Sequence, residues 1–168
     1  MNAVLLWIEE TPLSVWVRES TSLFAFPGIL SAHAVGMALA AGINAVFALH
    51  VLGVAAAVPS RELRRFVPLM WFGFWLNAAS GVLLLIAYPT KALTNPVFYL
   101  KLTLIALALS MFVFIRRRIF DGDSGDADRP MTRSMLRAGA ALSLVCWAGS
   151  ITAGRLLAYT YGRLLASW

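Results

Sequence analysis

The chain has 168 residues, of which 60% are hydrophobic and 13% are charged, with a formal net charge of +6. Its mean hydropathy of +0.77 exceeds what a soluble domain of this length can hide in a core, so the composition predicts a polytopic membrane protein. The basic residues form short clusters at the ends of apolar runs. Without a basic stripe or stacking platform, no nucleic-acid partner is expected.

The N-terminal segment, residues 1–20, mixes aliphatic residues with Trp7 and Trp16. It carries Glu9 and Glu10 before its first basic residue, Arg18, whereas a cleaved signal peptide begins with a basic region. We therefore expect this segment to remain in the mature protein as a short amphipathic segment in the membrane interface. A loosely ordered tail is the alternative.

Four later segments have the length and apolarity to cross a bilayer, which takes about 20 helical residues. The expected spans are 27–54, 66–88, 96–115 and 139–162. No internal repeat and no mid-span Gly/Pro pair indicates a moving carrier. The predicted fold class is all-α, an integral membrane four-helix bundle that forms a single domain over residues 1–168.

The distribution of basic residues predicts the orientation, because loops kept in the cytoplasm carry the Lys/Arg excess. Nine arginines lie at one face of the predicted bundle, in or beside the loop after the first span and the link 116–137. Only three basic residues lie at the other face. The nine are Arg61, Arg64, Arg65, Arg116, Arg117, Arg118, Arg129, Arg133 and Arg137, and the three are Arg18, Lys91 and Arg163. We expect an N-out/C-out multi-pass protein of the bacterial cytoplasmic (inner) membrane, with 116–137 as a cytoplasmic linker.

Three ionisable side chains, His33, Lys101 and Arg155, lie inside the predicted spans. Counted from the span ends at 1.5 Å per residue, His33 and Lys101 lie about 8–9 Å, and Arg155 about 10 Å, below the outer boundary. Charged groups in hydrocarbon are costly and usually face the bundle interior. The three side chains are therefore expected to converge on one site in the outer leaflet.

Helical periodicity places His33, Met37 and Asn44 on one stripe of the first span, and Asn77 and Ser80 fall in the outer half of the second. Small residues recur every four positions beside that stripe: Gly28, Ala32, Gly36 and Ala40. Such a ladder permits close helix contact in lipid. A packing seam with a hydrogen-bonded core histidine is the structural alternative to a binding site.

Haem b suits this set of residues, because imidazole is a common axial ligand and small residues leave room for a flat macrocycle. The expected site has His33 as the ligand of the haem iron, with Lys101 and Arg155 neutralising the propionates and Met37 and Asn77 in the same pocket. The second axial position stays open. Five-coordination or a thioether from one of two methionines would complete it: Met70 or Met111.

The positions of the acidic residues and of the second histidine exclude some functions. No acidic residue lies inside a span, which argues against paired-carboxylate catalysis and a proton-carrier relay. His50 lies 17 residues after His33, about 25 Å along the helix, so the two cannot share an iron. An interfacial or structural role is expected for His50, with a second haem as the alternative.

Three runs carry a resemblance to a bacterial family of small four-helix membrane proteins over nearly the whole chain: 30–38, 95–101 and 154–159. More distantly, a first-helix histidine paired with Phe-x-x-Lys resembles CopD-type copper-resistance membrane domains and HemJ-type protoporphyrinogen oxidases. The HemJ resemblance implies haem b binding, with its histidine at His33 and its lysine at Lys101. It also implies a possible oxidoreductase, although no catalytic residue is assigned.

The expected function is therefore a haem b-binding protein that performs electron transfer or porphyrin redox chemistry at an outer-leaflet site. The first alternative is a non-catalytic accessory subunit that docks onto a larger membrane complex through its Gly/Ala seam or its N-terminal segment. The second is a copper or small-solute permease. Besides the lipid bilayer, the partners to be considered are other membrane-protein subunits and a second copy of the chain.

Overall fold

The computed structural model of the protein describes residues 2–55, 58–120 and 130–165, and within these ranges it is helical without strands. The helices in chain order are α1 (Asn2–Glu9), α2 (Pro12–Glu19), α3 (Phe26–Leu52), α4 (Ser60–Arg64), α5 (Val67–Ala87), α6 (Pro89–Leu93), α7 (Pro96–Phe120) and α8 (Pro130–Leu165). Among them, α3, α5, α7 and α8 are long and apolar enough to cross a membrane. The predicted all-α four-helix membrane bundle is confirmed.

Proline and glycine set the ends of the spanning helices. Pro27 and Pro68 lie in the first turns of α3 and α5, where a missing backbone N–H costs no helical hydrogen bond. Pro68 therefore starts α5 and does not kink it. Helix α3 ends at Gly53, whose φ of 89° is the left-handed conformation that glycine adopts without strain.

The helices at the arginine-rich end are longer than the sequence predicts. Helix α7 continues through Arg116, Arg117 and Arg118 to Phe120, and α8 already begins at Pro130. Much of the expected linker 116–137 is thus helical, while 121–129 lies outside the described residues. The physical reason is that arginine is a good helix former whose long side chain reaches water from a helix that is still partly in the membrane.

The spanning helices form two antiparallel pairs, α3 with α5 and α7 with α8, and α3 also packs against α8. Helices α5 and α7 make few contacts with each other, although side chains of both enter one apolar cluster. Where α3 crosses α5, an added Cβ on Gly36 would lie 2.6 Å from the backbone nitrogen of Asn77, and one on Gly73 would lie 2.5 Å from Leu39 Cβ. The predicted ladder of small residues is therefore a close backbone contact at Gly36 and Ala40, where Gly73 faces it from α5.

The arginine-rich half of the bundle is filled by two apolar clusters, called here the inner apolar layer. Its members are Phe47, Leu63, Val67, Met70 and Phe112 in one cluster and Ala48, Ile115, Leu136 and Ala140 in the other. The rings of Phe47 and Phe112 meet edge to face, with their centroids 5.2 Å apart. This layer closes the core at one end of the bundle, and the polar groups of the core lie towards the other.

The N-terminal segment forms two short helices that pack onto the arginine-poor end of the bundle. Val17 is completely buried against Ile29 and Ala87. The carboxylate of Glu9 accepts a hydrogen bond of 3.3 Å from the backbone nitrogen of Thr90. A loose tail is thus not what the structure shows.

The opposite face of these two helices is exposed and apolar. Trp7 is 69% exposed and Trp16 is 44% exposed. Tryptophan side chains favour the membrane interface, where the ring is half in lipid and the N–H meets water. The structure therefore has the amphipathic form that the sequence predicts for an interfacial segment.

Candidate functional site

The imidazole of His33 lies between α3 and α5, close to the arginine-poor end of the bundle. Its Nδ1 is 3.0 Å from the backbone oxygen of Asn77 and 3.2 Å from the hydroxyl oxygen of Ser80. The side-chain amide of Asn77 donates in return to the backbone oxygen of His33, at 2.7 Å. These reciprocal bonds fix both the ring and the register of the two helices.

The partners of Nδ1 determine which ring nitrogen carries the hydrogen. A backbone carbonyl can only accept, so Nδ1 donates to Asn77. The Ser80 hydroxyl donates to the backbone oxygen of Leu76 at 2.6 Å, which leaves its oxygen as a second acceptor for the same N–H. In the neutral ring of His33, the lone pair is therefore on Nε2.

Nε2 of His33 faces the amine of Lys101, which lies 3.4 Å away. Lys101 comes from the first turns of α7, and its side chain is half-buried. An added Cβ on Gly154 of α8 would lie 3.6 Å from its Nζ, so this glycine leaves the space that the lysine occupies. Three helices thus meet at one pair of nitrogen atoms.

Gly81 also belongs to the site, although its residue type does not indicate this in the sequence. A Cβ at this position would lie 3.2 Å from Cε1 of His33 and 3.5 Å from Nδ1. Its missing side chain leaves room for the imidazole ring beside α5. A glycine carries no chemistry of its own, so the only sequence signal was its spacing, one residue after Ser80.

The site is electropositive. The acids among the described residues are Glu9, Glu10, Glu19 and Glu62, and all lie outside the four spanning helices. Two of them pair with arginines, in Arg18–Glu19 and Arg65–Glu62. Within the described part of the chain, Lys101 has no carboxylate partner, so an anionic group bound here would relieve an uncompensated charge.

Arg155 does not join the pair. It follows Gly154 on α8, and its side chain is exposed. Successive residues of a helix differ by about 100° in direction, so the turn that places Gly154 against Lys101 directs Arg155 outward. The expected convergence therefore holds for His33 and Lys101, whereas Arg155 lies on another face of its helix.

The expected second axial ligands lie elsewhere. Met70 packs with Phe47 in the inner apolar layer, 14 residues (47 − 33) beyond His33 on α3, or about 21 Å. Met111 faces Gly139, ten residues (111 − 101) beyond Lys101 on α7, or about 15 Å. Neither thioether reaches the level of His33. Met37 is half-buried one turn away, on the same helix as His33.

His50 lies at the end of α3, where its Nδ1 is 3.1 Å from the backbone oxygen of Ala55, which agrees with a structural role.

The aromatic residues of α5 divide between the surface and the core. Phe72 and Trp75 are 60% and 65% exposed, which is typical of side chains that face lipid. Trp71 and Phe74 pack on the core.

The fold and the site define a multi-pass helical membrane protein with a half-buried histidine–lysine pair towards one face. Comparisons with protein-family models, with curated proteins and with solved structures return no match. No group of three or more histidine, cysteine or acidic side chains able to hold a metal ion occurs among the described residues. The geometry of His33 and Lys101 therefore carries the functional argument.

Proposed function

We propose that the protein binds haem b in the bacterial cytoplasmic membrane and serves in electron transfer or porphyrin redox chemistry near the outer face. His33 Nε2 would hold the haem iron, and Lys101 would pair with a propionate. The observation that carries the proposal is the hydrogen bond between His33 Nδ1 and the carbonyl of Asn77. Metal-binding histidines commonly donate their second ring N–H in this way, which fixes the ring and increases its basicity.

The residues present fit the group in charge. Lys101 has no acidic partner among the described residues and would find one in a propionate. A flat macrocycle would enter between α5 and α7, which flank His33 and make few contacts with each other.

One side chain must move for the iron to bind. The Lys101 amine stands 3.4 Å from Nε2, whereas an imidazole–metal bond is about 2 Å long. Lysine has a flexible four-carbon stem, so the amine can turn towards the membrane surface and follow the propionate. Haem, when bound, supplies one-electron chemistry; His33 and Lys101 hold and orient it. Arg155 lies outside this pocket, and the proposal does not use it.

The test is the visible spectrum of detergent-purified protein from haem-supplied cells, with His33→Ala compared against His50→Ala. We expect a Soret band in the wild type and in His50→Ala, and its loss in His33→Ala. His50→Ala is the matched control, because it removes the other histidine of the same helix. A folded wild-type protein that stays colourless after titration with haemin would contradict the proposal, as would equal Soret bands in both variants.

A further inference from the structure

A second group of buried polar side chains lies where α3 packs against α8, called here the polar file: Asn44, Ser143, Trp147 and Ser150. Asn44 is 2% exposed and Trp147 is 5% exposed, and neither serine has any exposed surface. The Ser143 hydroxyl donates to the side-chain oxygen of Asn44 at 2.8 Å. This contact joins the two helices near the middle of the bundle.

The register of the two helices connects the polar file to the histidine–lysine pair. Asn44 lies 11 residues (44 − 33) from His33 on α3, and Ser143 lies 11 residues (154 − 143) from Gly154 on α8. Both intervals are about 16 Å long. Trp147 and Ser150 fall between, four and seven residues after Ser143, on the same face of α8. Polar groups therefore recur at steps of about 5 Å from mid-bundle up to Lys101.

Three members of the file have polar atoms without a protein partner. Asn44 Nδ2, Trp147 Nε1 and Ser150 Oγ are buried and make no hydrogen bond to any described residue. In the bilayer core there is little water to replace a missing hydrogen bond, so a polar atom without a partner costs several kcal/mol. Buried water molecules typically satisfy polar groups of this kind, making about three hydrogen bonds each.

The file ends abruptly towards the arginine-rich end. Beyond Asn44 on α3 come Phe47 and Ala48, both 1% exposed and both part of the inner apolar layer. The described core offers no further polar step there. The outer end is different, because it reaches Gly154 and the half-buried amine of Lys101.

We propose that the polar file holds a chain of water molecules that opens past Lys101 to the arginine-poor face and is closed at Asn44 by the inner apolar layer. The water chain therefore reaches one side of the membrane only. This inference rests on the helix contacts and not on haem, so it is tested on haem-free protein.

Hydration is tested by NMR of ¹⁵N-tryptophan-labelled protein in lipid nanodiscs, with the Trp147 indole signal assigned through Trp147→Phe. We expect a cross-peak between the Trp147 indole N–H and water. Ser150→Val should weaken that cross-peak at least several-fold, because it removes a hydroxyl from the file. Thr152→Val is the matched control: its exposed hydroxyl donates to the Ala148 carbonyl of its own helix, and it should change nothing. A wild-type indole without water contact would overturn the proposal.

Sidedness is tested by cysteine accessibility in a Cys146→Ala background, using Ag⁺ as a probe of nearly water-like size. Ser150→Cys should react with Ag⁺ supplied from the arginine-poor face, and Ala48→Cys, in the inner apolar layer, should not react from either face. Reaction is read as loss of maleimide labelling after denaturation. Equal reactivity of the two cysteines, or an unreactive Ser150→Cys, would refute a one-sided water chain. Neither outcome depends on whether haem binds.

Discussion

The His33 ring is held by groups that belong to a neighbouring helix, so small changes on α5 should act on the histidine itself. Gly81→Ala adds a Cβ 3.2 Å from Cε1 of His33, which obliges the ring to shift by a few tenths of an ångström. Overpacking of this kind costs about 1–3 kcal/mol. We predict that Gly81→Ala weakens haem binding at least several-fold in a haemin titration.

The control for Gly81→Ala is Gly42→Ala, since a Cβ at Gly42 meets nothing within 4 Å. It should bind haem as the wild type does. Unchanged haem affinity in Gly81→Ala would mean that the ring position seen here is not the one that binds.

Lys101 has no acidic partner among the described residues, and its removal should separate stability from binding. A charged side chain inside a spanning helix costs up to a few kcal/mol, depending on its depth. Lys101→Met should therefore raise the free energy of unfolding of the haem-free protein by about 1–3 kcal/mol while lowering its haem affinity. Lys91→Met removes the chain's other lysine, which lies in α6 outside the spans, and should do neither. A haem-free Lys101→Met protein less stable than the wild type would count against this description of the site.

Much of the site was predictable from residue type and depth. A histidine and a lysine inside apolar spans are rare enough to mark a location, and Asn77 and Ser80 are polar residues at the matching level of the next helix. The direction of Arg155 could not be predicted in the same way. Counting residues gives the depth of a side chain to within one helical turn. Its direction changes by about 100° with each residue, and the packing of α8 against α7 determines which face of α8 points inward.

At the scale of elements, the contact of α3 with α5 depends on two glycines. A Cβ on Gly36 would lie 2.6 Å from the backbone nitrogen of Asn77 and 2.7 Å from the backbone oxygen of Gly73. Backbone cannot move aside as a flexible side chain does, so the helices must separate. Gly36→Ala is predicted to lower the thermal midpoint in detergent, with a loss of about 1–3 kcal/mol.

The same substitution six residues further along α3, Gly42→Ala, again serves as the control and should leave stability equal or slightly higher, because alanine is the better helix former. Since Asn77 also carries the carbonyl that orients His33, Gly36→Ala should weaken haem binding as well. A Gly36→Ala protein as stable as Gly42→Ala would contradict the close crossing.

Helix positions were easier to predict than helix lengths. Apolar runs bounded by Pro27, Pro96 and the arginine clusters located all four spans. Charge marks the predicted ends of α7 and α8, but an arginine-rich helix continues into water with its backbone hydrogen bonds intact, so both helices are longer than predicted. Gly73 belongs to no repeat of small residues in α5, so the sequence does not indicate that it faces Gly36.

At the scale of the whole molecule, the arginine distribution predicts both termini outside the cytoplasm. Alkaline phosphatase fused after Trp168 should be active, and a fluorescent protein fused there should be dark, because each folds on one side of the membrane. Fusions within 121–129 should behave in the opposite way. The reversed pattern would place the histidine–lysine pair at the cytoplasmic face and contradict a haem site near the outer face.

Ligation of the iron by the His33 ring is tested most directly by restoring that ring from solution. His33→Ala removes the imidazole and leaves the flanking Gly81 and the carbonyl of Asn77 in place, so free imidazole can enter the space and accept the same orientation. We predict that His33→Ala purified from haem-supplied cells has little or no Soret band, and that haemin added together with millimolar imidazole restores a wild-type-like spectrum. A molecule of similar size without a ligating nitrogen, such as cyclopentane, should not restore it. A His33→Ala protein that binds haem with an unchanged spectrum before imidazole is added would contradict the account.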